Sequence, residues 1–497
     1  MNFMYFFQND FKAMFPEIFL GIAILAILTY GVIYSTSGKH SFPLMIRPAL
    51  WLAVLSLMIT IILVINNPLC NQTLANNLLI IDNFTSFSKI IVLGSSLIVL
   101  IMSVDFIKKE KINFFEYAVL ILLSVLGMLF IISSYDLMTM YLAIEFQSLC
   151  LYVLAAFKRN SMLSAEAGLK YFILGAFASG ILLFGISLVY GFTGLTSFED
   201  LAKLLTFANS DNLIVSTGLV IGMVFIGVAL LFKIYAVPFH VWVPDVYEGS
   251  PTIVTAFFAI TPSISVLSLL IRLMLSTFYD FISYWQPVLL FCAIGSMLIG
   301  SIVALTQYKI KRLLAYSAIS HVGYVLLGIA SGTPEGIQSL LVYVVIYIAM
   351  SINFFTVILS LRKAKGTTVE KLNEFTGLYK INPILAVTLA LVLFSMAGIP
   401  PLAGFFSKLY IFLAAIQSSL LLPVFIGIVA SIIGSVYYLR IVKLMYFDKP
   451  IQWTVFEQID KQKSIILAIT FLFLVFFFLY PSPLLLASHK AALTICL

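Results

Sequence analysis

Four ionisable side chains fall where charge is expensive. Lys233, Arg272 and Lys408 lie inside long apolar runs, and Glu145 sits about eight residues, or ~12 Å, into another. A charged group at the middle of a bilayer costs at least ~2.5 kcal/mol, so each of these needs a partner or a purpose. Acids, amines and imidazoles exchange protons directly, whereas hydroxyls mainly hold connecting waters. The expected row is Glu145 with Gln147 and Ser148, Lys233, Thr261 with Ser263 and Ser265, His321 with Ser320 and Tyr324, and Lys408. Proton transfer is the chemistry that such a row supports. Plainer readings stand beside it: ion pairing or snorkelling for Arg272, which lies nearer the end of its run, a structural donor for His321, and close helix packing for Ser263. No nucleophile with a base, metal cluster or glycine-rich phosphate loop stands out. The cysteines Cys70, Cys150, Cys292 and Cys496 include no C-x-x-C pair, so redox chemistry is expected of a partner.

Positioning these groups falls to membrane helices. Of the 497 residues, 62% are hydrophobic and 10% charged, against roughly 45–50% and about 25% in soluble domains. A water-soluble globular chain is excluded, and the net charge of +7 is read through its location rather than as affinity for nucleic acid. Apolar runs begin near Pro16, Pro48, Phe84, Phe115, Leu137, Leu169, Leu213, Pro251, Val288, Leu313, Ile337, Pro383, Leu420 and Ser464, which predicts about fourteen spans. Basic residues gather on alternate connections: Lys39 and Arg47; Lys108, Lys109 and Lys111; Lys158, Arg159 and Lys170; Lys309, Lys311 and Arg312; Arg362, Lys363, Lys365, Lys371 and Lys380; Arg440, Lys443, Lys449, Lys461 and Lys463. The other side, termini included, has only Lys12, Lys89, Lys203 and Lys490, so the positive-inside rule places both termini outside. The opening MNFMYFFQNDFKAMF lacks the features of a cleaved targeting signal.

Two runs are too long for one upright span. The seventh contains Lys233-Ile234-Tyr235-Ala236-Val237-Pro238, and the twelfth contains Gly398-Ile399-Pro400-Pro401-Leu402-Ala403-Gly404 with Lys408 just beyond. Proline lacks a backbone donor and clashes with the preceding turn, so both should break or kink. Lying five spans apart, they cross in opposite directions, as in two inverted units, and interrupted helices at matching places of two halves point to a transport site. The fold expected is an all-α polytopic membrane protein with two inverted five-helix repeats. Its parts are a three-helix segment at 1–110, the repeats at 111–280 and 281–446, and a C-terminal loop and last helix at 447–497. Aligning Pro238 on Pro400 puts Ser395 opposite Lys233.

The strings YLAIEFQSL from Tyr141, AEAGLKYFILGAF from Ala165, FKIYAVPFHVWVPDVYEGSPT from Phe232, KRLLAYSAISHVGY from Lys311 and AGIPPLAGFFSK from Ala397 together resemble the antiporter-like membrane subunits of respiratory complex I. The likeness runs from FPEIF at Phe15 to LYPSP at Leu479 and is nearest to the long form of plant, algal and protist mitochondria and of bacteria. It implies a subunit of the proton-pumping membrane arm without a cofactor of its own, while NADH, FMN, iron-sulfur clusters and ubiquinone serve elsewhere in the complex. The implied partners are other membrane-arm subunits, lipids and protons, and no nucleic acid. The implied place is the mitochondrial inner membrane, or a bacterial plasma membrane, with both termini on the intermembrane-space or periplasmic side. By motif, Glu145 matches the family's glutamate on helix five, Lys233 its lysine on helix seven and Lys408 its lysine on helix twelve. The family usually carries a lysine on helix eight, but here Ser263 follows Pro262; waters around Ser263, or His321, are expected to bridge the gap. A Glu145–Lys233 pair is expected as the switch, since a close carboxylate and ammonium stabilise each other's charge. A stand-alone cation/proton antiporter of the same fold is the alternative.

Overall fold

The structure, a computed structural model, describes residues 10–35, 46–67, 71–110, 114–210, 217–362, 368–449 and 456–496. Lys39, Lys111, Lys363, Lys365, Cys70 and the expected helix start at Leu213 lie outside the described residues. Fourteen apolar segments follow one another: α1 (Phe15–Ser35), α2 (Ile46–Ile65), α3 (Asn83–Lys109), α4 (Glu116–Ser133), α5 (Leu137–Ala155), α6 (Met162–Thr193), α7 in two parts (Thr217–Lys233 and Trp242–Gly249), α8 (Thr252–Thr277), α9 (Ile282–Leu305), α10 (Ile310–Ala330), α11 (Pro334–Ser360), α12 in two parts (Pro383–Ala397 and Ala403–Gln417), α13 (Leu421–Tyr446) and α14 (Lys461–Phe476). Eleven are long and apolar enough to cross a membrane; the others are the two broken helices and α14. Their starts follow local chemistry. Asp82 caps α3 in a reciprocal box with Thr85, the Asp136 carboxylate accepts from Met138 and Thr139 at the head of α5, and Asn382 caps α12 with Pro383 in its first turn.

Polar contacts sort the connections onto two faces. Glu110 after α3 accepts from Lys158 after α5 and from Arg362 after α11, each at 2.9 Å. At the end of α7, Asp245 accepts from Lys170 and Arg312, both at 2.8 Å, and Glu248 pairs with Lys309. Lys109 reaches Glu457, before α14, at 2.9 Å. Every basic connection represented here therefore shares one face. On the other face a short hairpin, β1 (Gln72–Leu74) with β2 (Leu79–Ile81), meets the connections after α4 and α6 through Tyr135 N–H to Leu78 O and Leu137 N–H to Thr196 O. Asp10 bonds Ala75 on that face, and His489 of a C-terminal helix (Ser482–Cys496) bonds Gln338 in the first turns of α11. Both described ends thus lie on one face, as an even number of spans requires.

The hairpin, the C-terminal helix and an amphipathic helix at Phe198–Ser210 go beyond the expected spans. One charge also moves. Lys89, assigned above to a connection, is buried within α3 and donates to Glu17 of α1 at 2.6 Å. Glu17 thus joins Glu145 as a carboxylate inside a span. Lys89 stands two turns into α3, on the side that meets α1, where the Glu17 carboxylate compensates its burial.

Packing repeats along the chain. α4 rests on α5 and α8, α5 on α6, and α6 on α7; likewise α9 rests on α10 and α13, α10 on α11, and α11 on α12. The helices α8, α10 and α11 are enclosed almost completely, whereas α1, α6 and α13 keep broad apolar faces outward. An enclosed helix can carry polar groups without meeting lipid, and Ser263, His321 and Asn353 lie on these three.

Candidate functional site

The two broken helices end in the same backbone device. The first part of α7 stops at Lys233; Tyr235 then turns left-handed (φ 56), and the amides of Tyr235 and Ala236 bond back to the carbonyls of Phe232 and Leu231 at 3.0 Å. In α12 Gly398 turns left-handed (φ 90), and the amides of Gly398 and Ile399 bond back to Ser395 and Phe394 at 3.0 Å. These are the bonds that close a helix at a left-handed residue. Tyr235 therefore corresponds to Gly398, Lys233 to Met396 and Pro238 to Pro401. This corrects the alignment that set Ser395 opposite Lys233, which is one residue out of phase because α12 offers two prolines and the first was used. Glycine takes the left-handed conformation freely, whereas a bulky tyrosine rarely does.

The two lysines are held differently. Lys233 Nζ donates to the Tyr152 hydroxyl of α5 at 3.3 Å and lies 5.6 Å from the centre of its ring. The carbonyl of Phe232, which accepts from the Tyr235 amide, also accepts from the Trp242 indole N–H at 3.1 Å, and the Val237 amide donates to Ser296 of α9 at 2.9 Å. In α12, Lys408 from the second part turns back onto the end of the first and donates to the carbonyls of Met396 and Ala397 at 2.9 and 3.2 Å. Those oxygens belong to the last turn, which has no further amides to bond and carries the negative end of the helix dipole. The Tyr324 ring covers the same ammonium at 5.3 Å.

Glu145 and Lys233 do not form the expected direct pair. Glu145 Oε1 is buried without a hydrogen-bond partner, and the stripe Glu145, Ser148, Tyr152 on α5 leads from one to the other. Ser148 donates to the Glu145 carbonyl at 3.1 Å, and its side chain also interacts with Tyr152. Tyr152 can approach α6 closely because Gly175 lies beneath its hydroxyl, where a methyl group would collide.

The middle is built from hydroxyls. Ser263 is buried beside the Tyr235 hydroxyl, which also faces Tyr247, the two rings meeting edge-on at 6.5 Å. Ser265 donates to Gln147 at 3.3 Å, while the Thr261 hydroxyl has no partner. Beyond them His321 is enclosed by tyrosines: Nδ1 is 2.5 Å from the Tyr343 hydroxyl, Nε2 is 3.2 Å from that of Tyr438, and the Tyr347 ring stacks obliquely at 4.8 Å. Tyr438 bonds Ser317 in turn. A neutral imidazole donates from one nitrogen and accepts at the other, so His321 can take a proton from one tyrosine side and release one to the other. Tyr324 stands between His321, at a ring distance of 6.3 Å, and Lys408.

Arg272 is elsewhere: it pairs with Asp82 at 2.7 Å, both buried, and ties the end of α8 to the start of α3. Sequence reasoning missed Tyr152, Tyr235, Tyr247, Tyr343, Tyr347 and Tyr438. For Tyr343, Tyr347 and Tyr438 the signal is a phenol deep within an apolar run, away from the interfacial level where tyrosine usually gathers; Tyr152 and Tyr247, in the last turns of their helices, carry no such signal. Among the described residues no group of three or more His, Cys, Asp or Glu side chains could hold a metal ion.

Residues 134–434 match the family model described as NADH:quinone oxidoreductase/Mrp antiporter, transmembrane. The chain is 54% identical over 493 residues to the NADH-ubiquinone oxidoreductase chain 2 of Marchantia polymorpha, covering 99% of this chain and 100% of that one. It is 45% identical over 484 residues to the NADH-quinone oxidoreductase subunit N of Paramagnetospirillum magneticum, covering 97% of each. A chain of respiratory complex I from Thermus thermophilus superposes with a TM-score of 0.79 at 25% identity, over 95% of this chain and 98% of that one. The match across both repeats and the near end-to-end identity to these relatives show that this chain belongs to the NADH:quinone oxidoreductase/Mrp antiporter transmembrane family.

Proposed function

We propose that the chain is a proton-translocating, antiporter-like subunit in the membrane arm of an NADH:quinone oxidoreductase, in a mitochondrial inner membrane or its bacterial counterpart. It carries no cofactor and performs no redox step; electrons pass through other subunits, and this chain moves protons in response. The observation that carries the reading is that buried exchangeable groups cluster between two half-helix ends, Tyr152 on Lys233, Ser263 beside Tyr235, and His321 with Tyr324 toward Lys408, and the proposed route runs from Glu145 through these clusters. The hydroxyls do the work of the lysine that Ser263 replaces, by holding waters and passing protons between the flanking amines. The recurring packing supports repeats divided near residues 111, 281 and 446. The stand-alone antiporter reading loses ground to the full-length likeness to subunits named for quinone oxidoreductases.

The test is Lys233→Arg in the assembled complex, reconstituted in sealed vesicles. A guanidinium, with a pKa above ~12, keeps the charge and does not release the proton. Assembly is expected to survive while the proton gradient per quinone reduced falls. A full gradient would remove Lys233 from the relay, and failure of the chain to co-purify with a quinone-reducing complex would overturn the assignment itself.

A further inference from the structure

On the face that gathers the basic connections, α4, α5 and α6 leave an open groove of about 640 Å³. Its walls are apolar, including Leu120, Val153, Leu169 and Phe172, and its charged lining residues are Glu116, in the first turn of α4, and Arg159, in the turn between α5 and α6. Most of the charges nearby are spoken for: Glu110 holds Lys158 and Arg362, and Asp245 holds Lys170 and Arg312. Glu116 and Arg159 are not. Both are exposed, and neither forms an ion pair with another described residue; Arg159 only lies over the Phe114 ring at 5.7 Å. The result is an apolar trough at the flank of the bundle with one cation and one anion at its rim that no described residue pairs, at the level where the helices leave the membrane.

We propose that this groove binds a zwitterionic phospholipid with a primary ammonium headgroup. The phosphate meets Arg159, whose fork of N–H donors suits phosphate oxygens, and the ammonium meets Glu116. The acyl chains lie along Val153 and Phe172. A purely anionic lipid would satisfy Arg159 but face the Glu116 carboxylate. A choline headgroup has the charge but no N–H to donate to Glu116. Charge complementarity together with N–H donation to Glu116 therefore selects an ethanolamine lipid. Tyr152, which accepts the hydrogen bond from Lys233, also lines the groove. A lipid here would close the Lys233 site from the bilayer side; that consequence rests on the proposed function, whereas the binding does not.

The probe is phosphatidylethanolamine with a photoreactive acyl chain, added to the delipidated assembled complex beside a phosphatidylcholine probe with the same chains. The ethanolamine probe is expected to label the segments containing Val153 and Phe172 in preference to the choline probe. Glu116→Gln should erase that preference. Arg159→Ala should weaken labelling by both probes about tenfold, the value of one charge-assisted hydrogen bond. Equal labelling by both probes in the unaltered complex, labelling indifferent to Arg159→Ala, or a partner helix seated in the groove would each overturn the proposal. None of these readouts depends on proton pumping.

Discussion

The breaks in α7 and α12 share a backbone and differ in what they grip. Each ends at a left-handed residue with the same pair of returning hydrogen bonds. In α12 the freed carbonyls of Met396 and Ala397 hold Lys408 by two charge-assisted bonds, so the ammonium is part of the structure that ends the helix. In α7 Trp242 bonds the Phe232 carbonyl, just before Lys233, and Lys233 keeps one bond to a phenol that can both donate and accept. Moving Lys408 breaks two fixed bonds of roughly 1.5–3 kcal/mol each, whereas moving Lys233 breaks one that a water can replace. The lesson is that repeating a fold can conserve a helix break while placing its ammonium on different sides of it, before the break in α7 and after it in α12, which divides anchoring from mobility between the two copies.

The sharpest way to break this comparison is to neutralise each lysine. Lys408→Met leaves two carbonyls in a low-dielectric interior without a donor, at about 1–3 kcal/mol each, so both assembled complex and pumping should fall. Lys233→Met should lower pumping by about two orders of magnitude, the scale of a lost proton-transfer group, with normal assembly. Native electrophoresis and vesicle acidification separate the two. Equal assembly defects in both variants would show that the lysines are not divided in this way.

A smaller effect is expected at the left-handed residue of α12. Gly398→Ala adds a methyl within 3.3–3.4 Å of the Lys408 side chain and holds an L-residue at φ 90, costing roughly 1–2 kcal/mol. Thermal denaturation of the complex should shift down by a few degrees, with activity reduced in proportion to the intact fraction. An unchanged transition would mean that the α12 end is less rigid than its two-carbonyl grip implies.

The smallest effects should come from the hydroxyls. Tyr152→Phe and Tyr235→Phe each delete one oxygen and keep the ring, and Ser263→Leu removes a site that could hold water. Pumping per turnover is expected to drop severalfold in Tyr235→Phe and Ser263→Leu, and less in Tyr152→Phe, where a water can reach Lys233 from Ser148. Proton-to-electron ratios in sealed vesicles measure this. If all three variants pump normally, the route between the two breaks avoids the hydroxyls.

Hydropathy, prolines and isolated charges are local properties, and they were enough to place the spans, the two interruptions and the row Glu145, Lys233, His321 and Lys408 along the chain. They work because a bilayer demands about twenty apolar residues per crossing and punishes every unpaired charge, whatever the rest of the molecule does. What holds each charge was decided by the tertiary structure. Tyr152 against Lys233, Tyr343 and Tyr438 against His321, Asp82 against Arg272 and Glu17 against Lys89 join different helices, and nothing in the spacing along one helix sets which phenol or carboxylate will face it. The phase of the two breaks was beyond reach for the same reason. Pro400 and Pro401 are equivalent as letters, and only the left-handed turn at Gly398, formed when the helix closes its last hydrogen bonds, fixes which of them answers Pro238.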